Sequence, residues 1–124
     1  MLYTSYFANL RNIDKDKYLI ASICQFRPEW IDESIENWNL LAPDANTLLD
    51  YKNGVITEQE YTEQYIKKLD VMMDYLINEF NSICDRDVVM LCYEKPTDFC
   101  HRHLLASWLK RHGFDCEEFS AKTV

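Results

Sequence analysis

The sequence predicts a single α/β domain in which a largely parallel sheet is flanked by helices in three layers, and three observations carry that reading. Two runs, Tyr18 to Cys24 and Val88 to Tyr93, are continuously apolar at strand length, as strands buried on both faces of a parallel sheet are. A long stretch between them repeats its apolar residues at helical spacing. Strand and helix patterns alternate along the chain, the order expected when helices cross over between parallel strands.

In chain order, residues 1–8 are rich in aromatic and β-favouring types and read as a first strand, closed by a turn around Asn9 to Asp16. The second strand, Tyr18 to Cys24, ends at Gln25-Phe26-Arg27-Pro28. Residues 31–53 read as a short helical stretch, a break at Ala42-Pro43-Asp44, and a second short helix stopped by Asn53-Gly54. Thr57-Glu58-Gln59-Glu60 has the pattern of a capping box. One long helix is expected after it, because Tyr61, Tyr65, Leu69, Met72, Leu76, Phe80 and Ile83 share a face at spacings of 4, 4, 3, 4, 4 and 3. A strand from Asp87 to Tyr93, a helix from Cys100 to His112 closed by Gly113, and a short strand from Asp115 to Phe119 complete the domain, taken as residues 1–124.

Composition narrows the classes of function. The 124 residues are 48% apolar, enough for one core. With 21 acidic and 13 basic residues the net charge is -8, which opposes loose attachment to polyanions or anionic membranes, so a bound anion must enter a local positive pocket. No apolar run approaches the roughly 18 residues of a membrane span. Five cysteines without a C-x-x-C pair, after an opening that lacks a secretory pattern, point to a reducing cytoplasm and to free thiols rather than disulfides.

The chemistry concentrates in Glu94-Lys95-Pro96-Thr97-Asp98-Phe99-Cys100-His101-Arg102, a polar turn between a buried strand and a helix. Ligands of parallel sheets sit beyond the carboxyl ends of strands, and a helix N-terminus attracts anions. Arg102 is read as a fork for phosphate or carboxylate, with a structural bridge to Glu94 or Asp98 as the alternative. Glu94, Lys95 and Arg27 lie at the same strand ends as further ligand-binding residues. His101 suits general acid or base work, or caps the loop. Cys100 beside His and Arg has the surroundings of a nucleophile, but on a packing helix its sulfur is expected to turn toward the sheet. Tyr6, Phe26 and Trp30 fall near strand ends and can stack on a base.

Two other chemistries are disfavoured. A phosphatase-like loop needs an arginine six residues after its cysteine, where Cys92 has Asp98 and Cys100 has Ala106. Zinc on Cys100 and His103, with Cys92 or Cys116, lacks a compelling spacing, because His101 and His103 are about 200° apart around a helix. No cofactor and no metal is therefore expected.

Leu91-Cys92-Tyr93-Glu94-Lys95 followed by Cys100-His101-Arg102 and Leu104-Leu105-Ala106 resembles the signature of the domain-of-unknown-function family numbered 488. Leu49-Asp50-Tyr51-Lys52-Asn53-Gly54, then Tyr61 and Tyr65 to Leu69, resemble its middle segment, so the likeness covers roughly residues 48–119. The resemblance implies a small Rossmann-like fold, a site at the Cys-His-Arg turn, and an association with nucleic-acid modification or processing. Where the family has an Asp-Val-Arg type ending on its second strand, this chain reads Ile23-Cys24-Gln25-Phe26-Arg27-Pro28, keeping the arginine and proline without the aspartate.

The first expectation is a pocket binding an anionic nucleotide, another anionic small molecule or a nucleic-acid fragment. An enzyme using His101 or Cys100 on such a ligand, and a protein-interaction module, are the alternatives. Self-association into a homo-oligomer stays open.

Overall fold

The computed structural model describes residues 1–95 and 97–120; Pro96, within the turn singled out above, lies outside them. Five strands, β1 (Leu2–Tyr6), β2 (Leu19–Ser22), β3 (Glu36–Asn37), β4 (Val88–Cys92) and β5 (Cys116–Glu118), form one sheet in the order β3-β2-β4-β1-β5, and every pairing is parallel. Four α-helices flank it: α1 (Ala45–Lys52), α2 (Glu58–Val71), α3 (Met73–Ile83) and α4 (His101–Arg111). The result is a three-layer α/β domain with a Rossmann-like parallel sheet.

The two apolar runs become the interior of this sheet. All five side chains of β4 are fully buried, because β1 and β2 cover its edges and packed side chains cover both faces. Register places Tyr6 opposite Cys92, and Ser22 opposite Leu91. The chain segments leaving β2 and β4 consequently emerge side by side at one end of the sheet.

Two elements differ from the sequence reading. The helical stretch expected after residue 31 is instead β3 followed by a single 3-10 turn, Asn39–Leu41. The Ala21 and Ser22 edge of β2 recruits Glu36 and Asn37, and Trp38 N–H extends the pairing by donating to the Ser22 carbonyl at 2.7 Å. The single long helix is interrupted at Met72, whose ψ of 14° departs from helical geometry and separates α2 from α3. The capping box itself is present: Thr57 Oγ1 accepts from Glu60 N–H at 3.1 Å, and Glu60 accepts from Thr57 N–H at 3.1 Å. The break lets each half face a different part of the core. Tyr65 of α2 meets His101 of α4, whereas Phe80 of α3 packs on Phe114.

Gly54 and Gly113 follow α1 and α4 with φ of 73° and 90°, the left-handed turn that makes glycine the favoured helix terminator. Among the described residues, no helix is long and apolar enough to cross a membrane.

Candidate functional site

The strand ends of β2 and β4 and the start of α4 enclose a cavity of about 510 Å³. Its walls are aromatic. Tyr51 of α1, Tyr61 of α2 and Phe99 of the loop before α4 contact one another, with ring centroids 5.0 to 5.4 Å apart. Phe26 and Tyr93 complete the lining, and the Tyr93 hydroxyl donates to the Phe26 carbonyl at 3.2 Å, which ties the two strand-end loops together. The polar lining comes from Cys24, Gln25, Lys52, Glu94, Cys100 and His101.

His101 opens α4 and is nearly fully buried. Its Nε2 lies 2.7 Å from the Ile23 carbonyl, an acceptor only, so Nε2 carries the proton and donates. Nδ1 is left with a lone pair, 3.8 Å from Cys100 Sγ. Burial, opposed by the Ile23 bond and reinforced by the charges of Arg102 and Lys68, pushes the imidazole down to about 4. At neutral pH His101 is therefore an uncharged acceptor.

Cys100 is the N-cap of α4, extended at φ -155° and without a side-chain cap bond. Its sulfur turns inward toward the sheet and meets that of Cys92 at the end of β4. This pair departs from the expectation of five independent thiols; Cys24, Cys84 and Cys116 stand singly. The Cα atoms of Cys92 and Cys100 are 7.8 Å apart, beyond the span that a disulfide bridges without backbone movement.

Arg102 has no exposed surface. Its Nε and Nη2 form a fork on the two carboxylate oxygens of Glu118 at 3.1 and 3.0 Å, while Nη1 donates to Cys92 Sγ at 3.0 Å and to the Glu94 carbonyl. The guanidinium lies 5.8 Å from the centre of the Tyr6 ring, and Thr4 Oγ1 steadies Glu118 from the next strand at 2.8 Å. The expected fork for an external anion is thus already occupied by the protein's own carboxylate. Neither Glu94 nor Asp98 supplies the carboxylate of that bridge.

The remaining predicted residues divide. Glu94 lines the cavity with an exposed side chain. Arg27 does not line it, because its Nη1 donates to the Glu33 and Ile35 carbonyls and braces its own loop. Lys95 is exposed outside the lining. Trp30 packs edge-on against Phe7 at 6.3 Å, and Tyr6 lies beside Arg102, so of the three proposed stacking residues Phe26 alone borders the cavity. Glu118, Tyr51, Tyr61 and Phe99 are site residues that the sequence did not single out, and Cys92 has a chemical role there only in the disfavoured zinc and phosphatase-like chemistries.

The profile of the family DUF488-N3a, described as "Active DUF488-N3 subclade", matches residues 8–113. The chain belongs to this family. Its match spans β2, the aromatic walls and the whole Cys-His-Arg turn, so the DUF488-N3a assignment extends the likeness to most of the region that the sequence motifs left uncovered. No curated protein and no solved structure gives a significant match.

Within the cavity, burial and the nearby Glu94 carboxylate push the Cys24 thiol up to about 12. A raised thiol pKa keeps the sulfur protonated through neutral pH, and only the thiolate alkylates readily. Cys84 is exposed. Iodoacetamide at pH 7, followed by peptide mapping, is expected to modify Cys84 rapidly and Cys24 slowly; equal rates at the two positions would refute the assigned environment.

Proposed function

We propose that this DUF488-N3a chain binds an anionic nucleotide or a short nucleic-acid fragment, with a base seated in the aromatic cavity at the ends of β2 and β4. The observation that carries this reading is the cluster of Tyr51, Tyr61 and Phe99 around a 510 Å³ space, a size typical of small-molecule sites. Planar walls suit a planar ligand, and Gln25 and Glu94 offer polar groups to its edges. Lys52 on the lining and the N-terminal end of α4 supply the positive potential for phosphate, in place of Arg102. A cytoplasmic setting, with its nucleotides and reducing conditions, belongs to the same proposal.

Stacking on an aromatic side chain contributes about 1–3 kcal/mol per base. Phe99→Ala is therefore expected to weaken binding of a mononucleotide or oligonucleotide by roughly 5- to 150-fold, measured by calorimetric titration, while the variant stays folded. A panel of nucleotides and oligonucleotides that leaves the melting temperature unmoved, or a folded Phe99→Ala variant with full affinity, would defeat the proposal.

An enzymatic reading is favoured by a different observation. A buried guanidinium donating to a sulfur, as Arg102 does to Cys92, stabilises the thiolate form, and the His101 Nδ1 lone pair can accept a hydrogen bond from Cys100. The word "Active" in the family description agrees with such chemistry. On this reading Cys92 joins Cys100 and His101 as a candidate reactive group, and Arg102 is a positioning residue.

A further inference from the structure

We propose that Cys92, Cys100 and His101 form a binding site for one divalent zinc ion at the inner end of the aromatic cavity. The two sulfurs and a ring nitrogen of His101 all lie within 4.8 Å of one another, and all three residues are buried. They come from two rigid elements, the end of β4 and the start of α4, so the sheet and helix fix their approach. The zinc set disfavoured on sequence spacing uses His103, and no metal is expected from the sequence; the geometry instead brings His101 to the two cysteines.

The donor set selects the ion. Two thiolates and an imidazole suit zinc, whereas calcium and magnesium demand oxygen ligands and the common iron–sulfur clusters take four cysteines. The Cα separation of 7.8 Å is wide for a disulfide but imposes no such limit on two sulfurs that share an ion. His101 is already arranged as a ligand: its Nε2–H donates to the Ile23 carbonyl at 2.7 Å, which fixes the ring and leaves the Nδ1 lone pair on the side of Cys100. Metal-bound histidines are held by this kind of outer bond.

Charge also balances. A dication meets two thiolates, and the neighbouring Arg102 is compensated by its fork on Glu118, so its bond to Cys92 Sγ acts as an outer-shell donor to a thiolate without leaving an unmatched positive charge. Three protein ligands leave zinc one coordination position. Since Cys100 and His101 both line the cavity, that position is accessible to solvent or ligand, the arrangement of a catalytic rather than a closed structural zinc. The site does not depend on the nucleotide reading, since an ion can bind there whatever the cavity accepts.

The test uses the full chain, reduced and stripped with a chelator, titrated with Zn²⁺ against a chromophoric competitor and with Co²⁺ by absorption. One ion per chain and a thiolate-to-cobalt charge-transfer band are expected. Cys92→Ser and Cys100→Ser should each weaken binding by more than about 100-fold, the upper end of what outer-shell changes cost, while Cys84→Ser keeps it. Circular dichroism reports whether each variant folds, and the wild-type titration decides independently of them. Absence of stoichiometric binding by the reduced wild-type chain would overturn the proposal, as would undiminished binding by folded Cys92→Ser and Cys100→Ser variants. So would recovery from cells of a Cys92–Cys100 disulfide that persists in reductant. Nucleotide titrations of the stripped and zinc-loaded chain score the cavity proposal separately.

Discussion

Arg102→Ala should lower the free energy of unfolding by about 3–5 kcal/mol, a loss of the size seen when one partner of a buried ion pair is removed. The guanidinium is fully enclosed, and its removal leaves Glu118 without its fork, the Glu94 carbonyl and Cys92 sulfur without their donor, and a void beneath Tyr6. The Glu118 side chain is 29% exposed, so water recovers part of the carboxylate's solvation and the lower end of the range applies. Arg102→Lys should restore little, because an ammonium cannot form the planar two-point contact. Urea unfolding measures the effect, and a cycle with Glu118→Gln isolates the coupling between the partners. An unchanged midpoint for Arg102→Ala would overturn the structural role assigned to this residue.

Trp108→Ala should cost a similar amount, about 3–5 kcal/mol, for a different reason. Trp108 is among the largest fully buried side chains and lies on the face of α4 that packs against α2. Truncation leaves a cavity between elements too rigid to collapse, and Asp70 of α2 loses the indole N–H that reaches it at 2.9 Å. Trp108→Phe retains most of the volume and should cost much less, so the contrast separates packing from the hydrogen bond. A small loss for alanine, comparable to that for phenylalanine, would show that the site relaxes. Both Trp108 and Arg102 sit on α4, the helix that also carries His101, and the two variants therefore test how firmly the site is anchored.

The parts of this fold legible in the sequence are those governed by local pattern. β2 and β4 are buried on both faces and read as unbroken apolar runs, and the capping box ahead of α2 announces itself through two residues three apart. β3 was hidden because Glu36 and Asn37 are polar and become a strand only through the edge that β2 offers. The break at Met72 was hidden for the opposite reason: the apolar stripe passes through it without a change of period, and the two halves diverge only to follow the core.

The site divides along the same line. The strand, turn and helix patterns predict Cys100, His101 and Glu94 at one strand-end pocket, and all three line the cavity. The partner of Arg102 comes from β5, sixteen residues away, and nothing in Cys116-Glu117-Glu118-Phe119 distinguishes Glu118 from the acid before it. Tyr51, Tyr61 and Phe99 converge from three elements, which only the tertiary fold can bring about.

Cys92 ends a strand enclosed by neighbours on both sides, whereas Cys100 is reached through a stretch, Tyr93 to Asp98, whose described residues are exposed. Amide protons inside β4 should therefore be among the slowest to exchange with solvent, and those of the exposed residues that follow it should exchange faster, through local opening. One sulfur is fixed to the most protected part of the protein, and the other stands beside one of the least protected. With Cys92 held by the sheet and Cys100 by the start of α4, the separation of the pair follows the seating of that helix end against the sheet rather than the exposed stretch that joins them.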